Sequence, residues 1–210
     1  MSQVPRLRPP VAVVALGRSD HRDEALPARV MGRARTLLGE IGRMRGRPHT
    51  LSLAEDPGSL VEDPGDGFEV EGNLALASAT HEGPLVDWIE GQGSSPRLDR
   101  VLEGRRRIVI IDTLLRGEKA GTVSHWHLEA GSPGGLTALS QYQPNAHFSL
   151  EHLAFWLEDD LPASGLDFIG IEPHDLGEGH GISSPIRRRL GTISSQVTAV
   201  LIRILAEEGW

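Results

Sequence analysis

Three short apolar runs constrain the fold of this chain more than any other sequence feature. The runs are "VAVVAL" at 11–16, "RRIVIID" at 106–112 and "LDFIGIEP" at 166–173. An uninterrupted apolar run of this length is typical of a β-strand that is buried on both faces. Such strands lie in largely parallel sheets, because helices cover both faces of the sheet. The sequence therefore predicts a central sheet enclosed by helices.

Segments with helical periodicity alternate with these strands. Residues 25–41 place apolar side chains at helical spacing, residues 149–161 do the same, and residues 183–209 predict one or two further helices. Pro185 fits the first helical position, where a missing backbone N–H costs little. The alternation predicts an α/β fold, a three-layer α/β/α sandwich around a mostly parallel twisted sheet of the phosphorylase/hydrolase-like kind.

The segments between these elements give weaker patterns. "NLALASAT" at 73–80 predicts a further core strand, and "GTVSHWHLE" at 121–129 alternates as a half-exposed strand does. "PLVDWIEG" at 84–91 is predicted to be a short amphipathic helix. Residues 42–73 are rich in Gly, Pro, Asp and Glu, and we expect an acidic loop insertion there with at most one strand.

Composition and charge limit the classes of function. The chain is 39% apolar and 24% charged, as soluble globular proteins are, and its 210 residues suffice for one domain at 11–210 behind a flexible tail at 1–10. The formal net charge of −8 argues against nucleic-acid binding, which needs clustered Lys and Arg. No continuous apolar run approaches the roughly 18 residues that span a bilayer, so no membrane insertion is expected. The start of the chain lacks a secretory signal, which predicts a cytoplasmic location.

Several chemistries are excluded by residues and motifs that the chain lacks. It has no cysteine, which removes disulfides, thiolate metal sites and thiol nucleophiles. Gly17 follows the first strand, but no G-x-G-x-x-G and no P-loop motif is present, so no organic cofactor is expected. The G-x-S-x-G motif of serine hydrolases and the H-E-x-x-H motif of zinc proteases are also missing.

Acidic residues follow two of the predicted core strands. Asp23 and Glu24 come shortly after the first strand, and Asp112 ends the second run. Because ligand sites in open α/β sheets lie beyond the carboxyl ends of the strands, we expect these acids to meet at one edge. Two carboxylates and one imidazole would form a three-ligand site for a divalent transition metal. The simpler interpretation is that each acid caps a helix or forms an ion pair.

Three segments, in the same order, resemble the nickel-iron hydrogenase maturation proteases, the endopeptidases that trim the C-terminus of the hydrogenase large subunit. The segments are "VVALGRSDHRDEALPARV", "RRIVIIDTLLRGEKAGTV" and "FIGIEPHDLGEGHGISSPIRRRL". In the first, Gly17 matches the second glycine of the family motif, and Asp23-Glu24 matches its acidic pair. The resemblance spans most of residues 11–205.

The resemblance also implies which residues form the site. It assigns both metal binding and catalysis to Glu24, Asp112 and His147, with His152 as the alternative histidine. Supporting roles at the same site are possible for further residues, namely Asp23, Arg29, His152 and His174. The metal is nickel, which the resemblance implies is brought by the substrate.

The expected function is removal of the C-terminal extension from a nickel-loaded hydrogenase large subunit precursor, which would be the partner of this chain. The chain departs from the family motif at Ala15, Arg18 and Pro27, where the family has Gly, Asn and Gly. Two alternatives stay open, the first motivated by these departures and the second by the long loop at 42–73. One is a checkpoint chaperone that recognises the nickel-loaded subunit without cleaving it. The other is a metal-dependent amidohydrolase that acts on a small molecule.

Overall fold

The structure is a computed structural model that describes residues 9–17, 20–44, 86–91, 102–129, 135, 138–139, 141–142, 162 and 164–210. Several sequence predictions lie outside the described residues. They are the tail up to residue 8, most of the loop at 42–73, the strand at 73–80, the helix at 149–161, and the histidines His147 and His152.

Five strands and two α-helices form the described part of the domain. The elements are β1 (Val11–Leu16), a 3-10 turn (Arg22–Ala25), α1 (Leu26–Met44), β2 (Val86–Gly91), β3 (Arg107–Thr113), β4 (Val123–Leu128), β5 (Leu166–Ile171) and α2 (Ser184–Glu207). The strands form one sheet in the order β2-β1-β3-β5-β4. All neighbours are parallel except β4, which runs antiparallel to β5. The predicted α/β class with a mostly parallel sheet is confirmed.

The central strands β1, β3 and β5 are buried along their whole length, as their mainly apolar runs predict. Successive side chains point to opposite faces of the sheet. On one face Val11, Val13 and Ala15 pack in a core with α1 and α2. On the other, Ala12 and Val14 belong to a second core, which also contains Leu102, Leu139 and Phe168. Both faces of the sheet are therefore covered.

The C-terminal segment forms a single helix, α2. Ser183 is its N-cap, and Pro185 lies in the first turn, as predicted. The helix is long and apolar enough to cross a membrane by those two criteria alone. However, nine of its residues are buried, and its apolar side packs with α1 against the sheet, which is typical of a core helix.

The prediction of a helix at 84–91 is wrong, because this segment forms strand β2 at Val86–Gly91. Val86 and Trp88 pack toward the helix-covered face, whereas Ile89 belongs to the opposite core. This alternation follows the two-residue period of a strand. A short run with apolar residues at both spacings is ambiguous locally, and parallel pairing with β1 decides its conformation.

A buried ion cluster lies at the amino ends of the parallel strands. The carboxylate of Asp167 is fully buried. Its Oδ2 accepts a hydrogen bond from Arg107 Nε at 2.7 Å, and its Oδ1 lies 2.8 Å from His125 Nε2 and 3.2 Å from His127 Nδ1. Arg107 also reaches Glu207 on α2 at 2.7 Å. The cluster therefore ties β3, β4 and β5 to the end of α2.

These contacts shift the ionisation of Asp167. Burial works against the charged form, but hydrogen bonds from His125, Arg107 and His127, together with the charge of Arg107, outweigh it and hold the pKa of Asp167 below its ordinary value. A carboxyl whose pKa is lower in the folded than in the unfolded state stabilises the fold above its unfolded pKa. That stabilisation is lost as the pH falls through the lowered pKa.

We therefore expect Asp167→Asn to lower the free energy of unfolding by up to about 3–5 kcal/mol at neutral pH, because Arg107 loses its fully buried carboxylate partner and keeps only Glu207 and Glu208 at the end of α2. The variant should also lose less stability than the wild type as the pH falls below about 4. Urea unfolding between pH 3 and 7 measures both effects.

Glu118→Gln is the matched control. Glu118 pairs with Arg116 at 3.0 Å, and both side chains are about one-third exposed, so its loss should cost no more than about 1 kcal/mol. Equal losses for the two variants would contradict the assignment of Asp167 as a buried structural charge.

Candidate functional site

Four buried acids lie at the carboxyl edge of the sheet, opposite the ion cluster. Glu24 follows β1, Asp112 lies near the end of β3, and Glu172 directly follows β5. Asp23 precedes Glu24 in the 3-10 turn. Asp23 is fully buried, and the other three are each 4% exposed. Carboxylates are rarely buried unless they are paired or functional, so this edge is the candidate site.

Gly17 lets the acidic turn fold back against the end of β1. Its φ is +147°, a conformation that favours glycine, and a Cβ at this position would lie 2.0 Å from the backbone oxygen of Glu24. The 3-10 turn that carries Glu24 also packs against β3, the strand that carries Asp112. The structure therefore brings Glu24 and Asp112 to the same part of the sheet edge.

Asp112 is fixed by its strand. It pairs in register with Gly170 of β5, and its Oδ1 accepts a hydrogen bond from the backbone N–H of Thr113 at 2.7 Å. Its burial at the end of a central strand matches the sequence expectation for an acid that ends an apolar run. Such an environment holds a carboxylate in one orientation.

Asp23 binds a distant loop. Its Oδ2 accepts hydrogen bonds from the backbone N–H groups of His174 and Asp175, both at 2.8 Å. Ser183, the N-cap of α2, donates its backbone N–H to Oδ1 at 2.7 Å and its hydroxyl to Oδ2 at 2.8 Å. Asp23 thus fastens the segment between β5 and α2 to the acidic turn.

Glu172 plays a similar part on the other side and was missed by the sequence reasoning. Its Oε2 accepts from the backbone N–H of Arg116 at 2.9 Å, and its Oε1 accepts from Gly117 at 3.0 Å. The available signal was its position, because Glu172 directly follows a buried strand, in the same way that Asp112 ends one.

The other predicted site residues are placed as follows. Arg29 is exposed on α1, and His174 is exposed in the loop after β5, where its backbone N–H binds Asp23. His147 and His152 lie outside the described residues. The structure therefore brings together two of the three predicted ligands and leaves the position of the histidine untested.

The carboxylate pair suits a divalent cation by its chemistry, since oxygen donors bind such ions and buried negative charge attracts them. Within the described ranges, no group of three or more His, Asp or Glu side chains could hold a metal ion. Glu24 and Asp112 alone therefore do not make up a three-ligand site, and His147, the third predicted ligand, lies outside the described residues.

The departure from the family motif at Ala15 has a simple structural consequence. Ala15 lies inside β1, is 1% exposed and packs in the helix-covered core. Its methyl group is therefore accommodated within the strand. Pro27 is buried in the first turn of α1, with its ring beside Gly17. Ala15 thus fits β1, and Pro27 fits the start of α1, the two elements that flank the turn of Glu24.

Comparison with known proteins finds similarity at the level of structure. By sequence, neither a family model nor a curated protein matches the chain. Among solved structures, the hydrogenase maturating endopeptidase HybD from E. coli has a TM-score of 0.52 and 16% identity, with 92% of each chain covered. The nickel-iron hydrogenase maturation protease HybD from Thermococcus kodakarensis has a TM-score of 0.53 and 19% identity, covering 90% of this chain and 97% of that one.

A third structure, the maturation protease HycI from Thermococcus kodakarensis, has a TM-score of 0.51 and 14% identity, again with 92% of each chain covered. The chain is thus an α/β protein, and four buried acids mark the candidate site at the carboxyl edge of its sheet. More particularly, it has the fold of the nickel-iron hydrogenase maturation proteases, and the predicted resemblance to them is confirmed at that level.

Gly17→Ala should destabilise the protein, because the new methyl group would overlap the backbone of Glu24. Backbone strain and steric overlap cost about 1–3 kcal/mol each. Chemical denaturation measures the loss.

Gly32→Ala is the matched control for this change. Gly32 is exposed within α1, and a Cβ there would meet nothing within 4 Å. Alanine should stabilise the helix by roughly 0.5–1 kcal/mol. If Gly17→Ala were as stable as the wild type, the close approach of the acidic turn to β1 would be wrong.

Proposed function

We propose that this chain is an endopeptidase that removes the C-terminal extension of a nickel-loaded hydrogenase large subunit precursor in the cytoplasm. One observation carries the proposal: Glu24 and Asp112, the two acids that the family resemblance selects, are both buried at the carboxyl edge of the sheet. The fold that this chain shares with hydrogenase maturation proteases supports the same function.

In this proposal the nickel belongs to the substrate. Glu24, Asp112 and His147 would contact the nickel of the incoming precursor and so test whether it is loaded. A divalent ion held near the scissile peptide polarises its carbonyl or activates a water molecule. Two carboxylates and a neutral imidazole balance the charge of such an ion. The protein would hold the scissile bond of the precursor against these three residues.

The residue content of the chain favours a hydrolase without a covalent intermediate. There is no cysteine, and no serine stands in a G-x-S-x-G motif. Water is then the attacking group, and a carboxylate such as Glu24 or Asp112 would take its proton. Both acids are buried, which limits their access to bulk solvent and strengthens their interaction with a cation.

The proposal predicts that Glu24→Gln and Asp112→Asn each reduce cleavage by at least about a hundredfold, because each removes one anionic contact to the cation. The assay mixes purified protein with a large subunit precursor, with and without nickel, and reads the C-terminus by intact mass. Cleavage should require nickel. Glu40→Gln, a change at an exposed site on α1, should cleave at the wild-type rate.

Other outcomes would favour the alternative functions. Stable binding of the nickel-loaded precursor without cleavage by the wild type would indicate the checkpoint chaperone. Neither binding nor cleavage would leave the small-molecule amidohydrolase. Normal cleavage by Glu24→Gln would show that the site is misassigned even if the protein is a protease.

The choice between the two histidines has its own test. His147→Ala should abolish cleavage, because an imidazole completes the ligand set in the proposed site. His152→Ala should retain it, because the resemblance places His152 one helical turn further along. The same mass assay reads both variants. The reverse pattern would transfer the ligand role to His152.

A further inference from the structure

We propose that Asp23 and Glu172 are positioning residues that together hold the turn of Glu24 in place beside Asp112 through the loop at 172–183. The inference rests on the proposed function for its effect on catalysis. The position of the loop is seen directly in its hydrogen bonds. Glu172, at the start of the loop, binds the segment that follows Asp112. The rest of the loop binds the turn that contains Glu24.

The first fastening is made by Glu172. Its carboxylate accepts the backbone N–H groups of Arg116 and Gly117, at 2.9 and 3.0 Å. Its backbone N–H donates to Thr122 O at 2.9 Å, and its backbone oxygen accepts from Gly121 N–H at 2.7 Å. Four hydrogen bonds from one residue therefore hold the whole turn at 116–122, which begins four residues after Asp112.

The second fastening is made by Asp23, the neighbour of Glu24. Its carboxylate accepts four hydrogen bonds from His174, Asp175 and Ser183, all within 2.8 Å. Its own backbone N–H donates to Asp175 O at 3.0 Å. The acidic turn and the loop are also joined by Arg22 N–H to Gly177 O at 3.3 Å.

The loop between the two fastenings has little structure of its own. Apart from one bridge between His21 and Glu178, residues 172–183 form no strand or helix. Gly179 and Gly181 adopt positive φ angles of +140° and +79°. A segment of this kind takes its position from its anchors. The two anchors are buried carboxylates. Asp23 is adjacent to Glu24 in the sequence, and Glu172 binds the turn at 116–122, which begins four residues after Asp112.

The geometry predicts a specific form of coupling between the two ends. Loosening the Glu172 end should also loosen the backbone amides held by Asp23, and the reverse should hold as well. Since small displacements of catalytic groups can cost about a hundredfold in rate, loosening either end should lower kcat. Neither anchor touches the substrate in this proposal, so KM should change little.

The experiment uses Asp23→Asn and Glu172→Gln, which keep the shape of each side chain. Each replaces an accepting oxygen with an NH₂ group that faces backbone donors. We expect kcat for precursor cleavage to fall by about tenfold to a hundredfold, with KM within about twofold of the wild type. Hydrogen exchange should be faster at the amides of His174 and Ser183 in Glu172→Gln. In Asp23→Asn it should be faster at the amides of Arg116 and Gly117.

Glu90→Gln is the matched control. Glu90 is exposed near the carboxyl end of β2, so its loss removes one negative charge from the same edge without touching the loop. It should leave kcat and all of these amides unchanged. If either anchor variant fails to fold, Ser183→Ala and Glu172→Asp remove less of each fastening and should give the same pattern at smaller size.

The outcomes separate the inference from the proposed function. Wild-type kcat in both anchor variants, or faster exchange only next to each substitution, would overturn the inference while leaving the protease intact. If the wild type itself does not cleave, the proposed function fails, and the exchange measurements then decide the coupling alone. If neither variant speeds exchange of the amides at the other end of the loop, the coupling is overturned in that case too.

Discussion

The parallel pairing of β1 with β3 is the constraint on which the rest of the structure depends. Its register sets Ala15 beside Ile111, so that Asp112 comes level with the end of β1 and the Gly17 turn. A shift by one residue would exchange the two faces of the strand. Both faces are packed in separate cores, and the register is therefore strongly specified. The position of the site follows from the packing of the sheet.

The buried acids at the sheet edge divide into two pairs with different surroundings. Asp23 and Glu172 are surrounded by hydrogen-bond donors from distant backbone segments, which is how a buried carboxylate stabilises a loop. Glu24 lies in the 3-10 turn that Asp23 fastens, and Asp112 lies on β3, which leads into the turn that Glu172 fastens. This arrangement resembles the general design of functional sites, in which the reacting groups are held by a surrounding layer of polar contacts.

The two ends of the sheet also serve different purposes. At the amino ends, Asp167 gathers Arg107, His125 and His127 in an ion cluster that joins sheet and helix. At the carboxyl ends lie the connecting loops and the four buried acids. The fold alone does not fix an activity, since one fold can support many chemistries. A protease activity is therefore proposed from the acids at the carboxyl edge together with the shared fold.

The sequence by itself determined the α/β class, the central strands and the helical character of the C-terminal segment, because mainly apolar runs and helical periodicity are local signals. Only the structure shows that this segment is a single helix. The sequence also selected Glu24 and Asp112 as acids at strand ends. Only the tertiary structure decided that 86–91 is a strand, since pairing with β1 outweighs an ambiguous local pattern. Likewise, the roles of Asp23 and Glu172 depend on backbone donors at the other end of a loop. No pattern along the chain reports such contacts, because they form only when distant segments pack together.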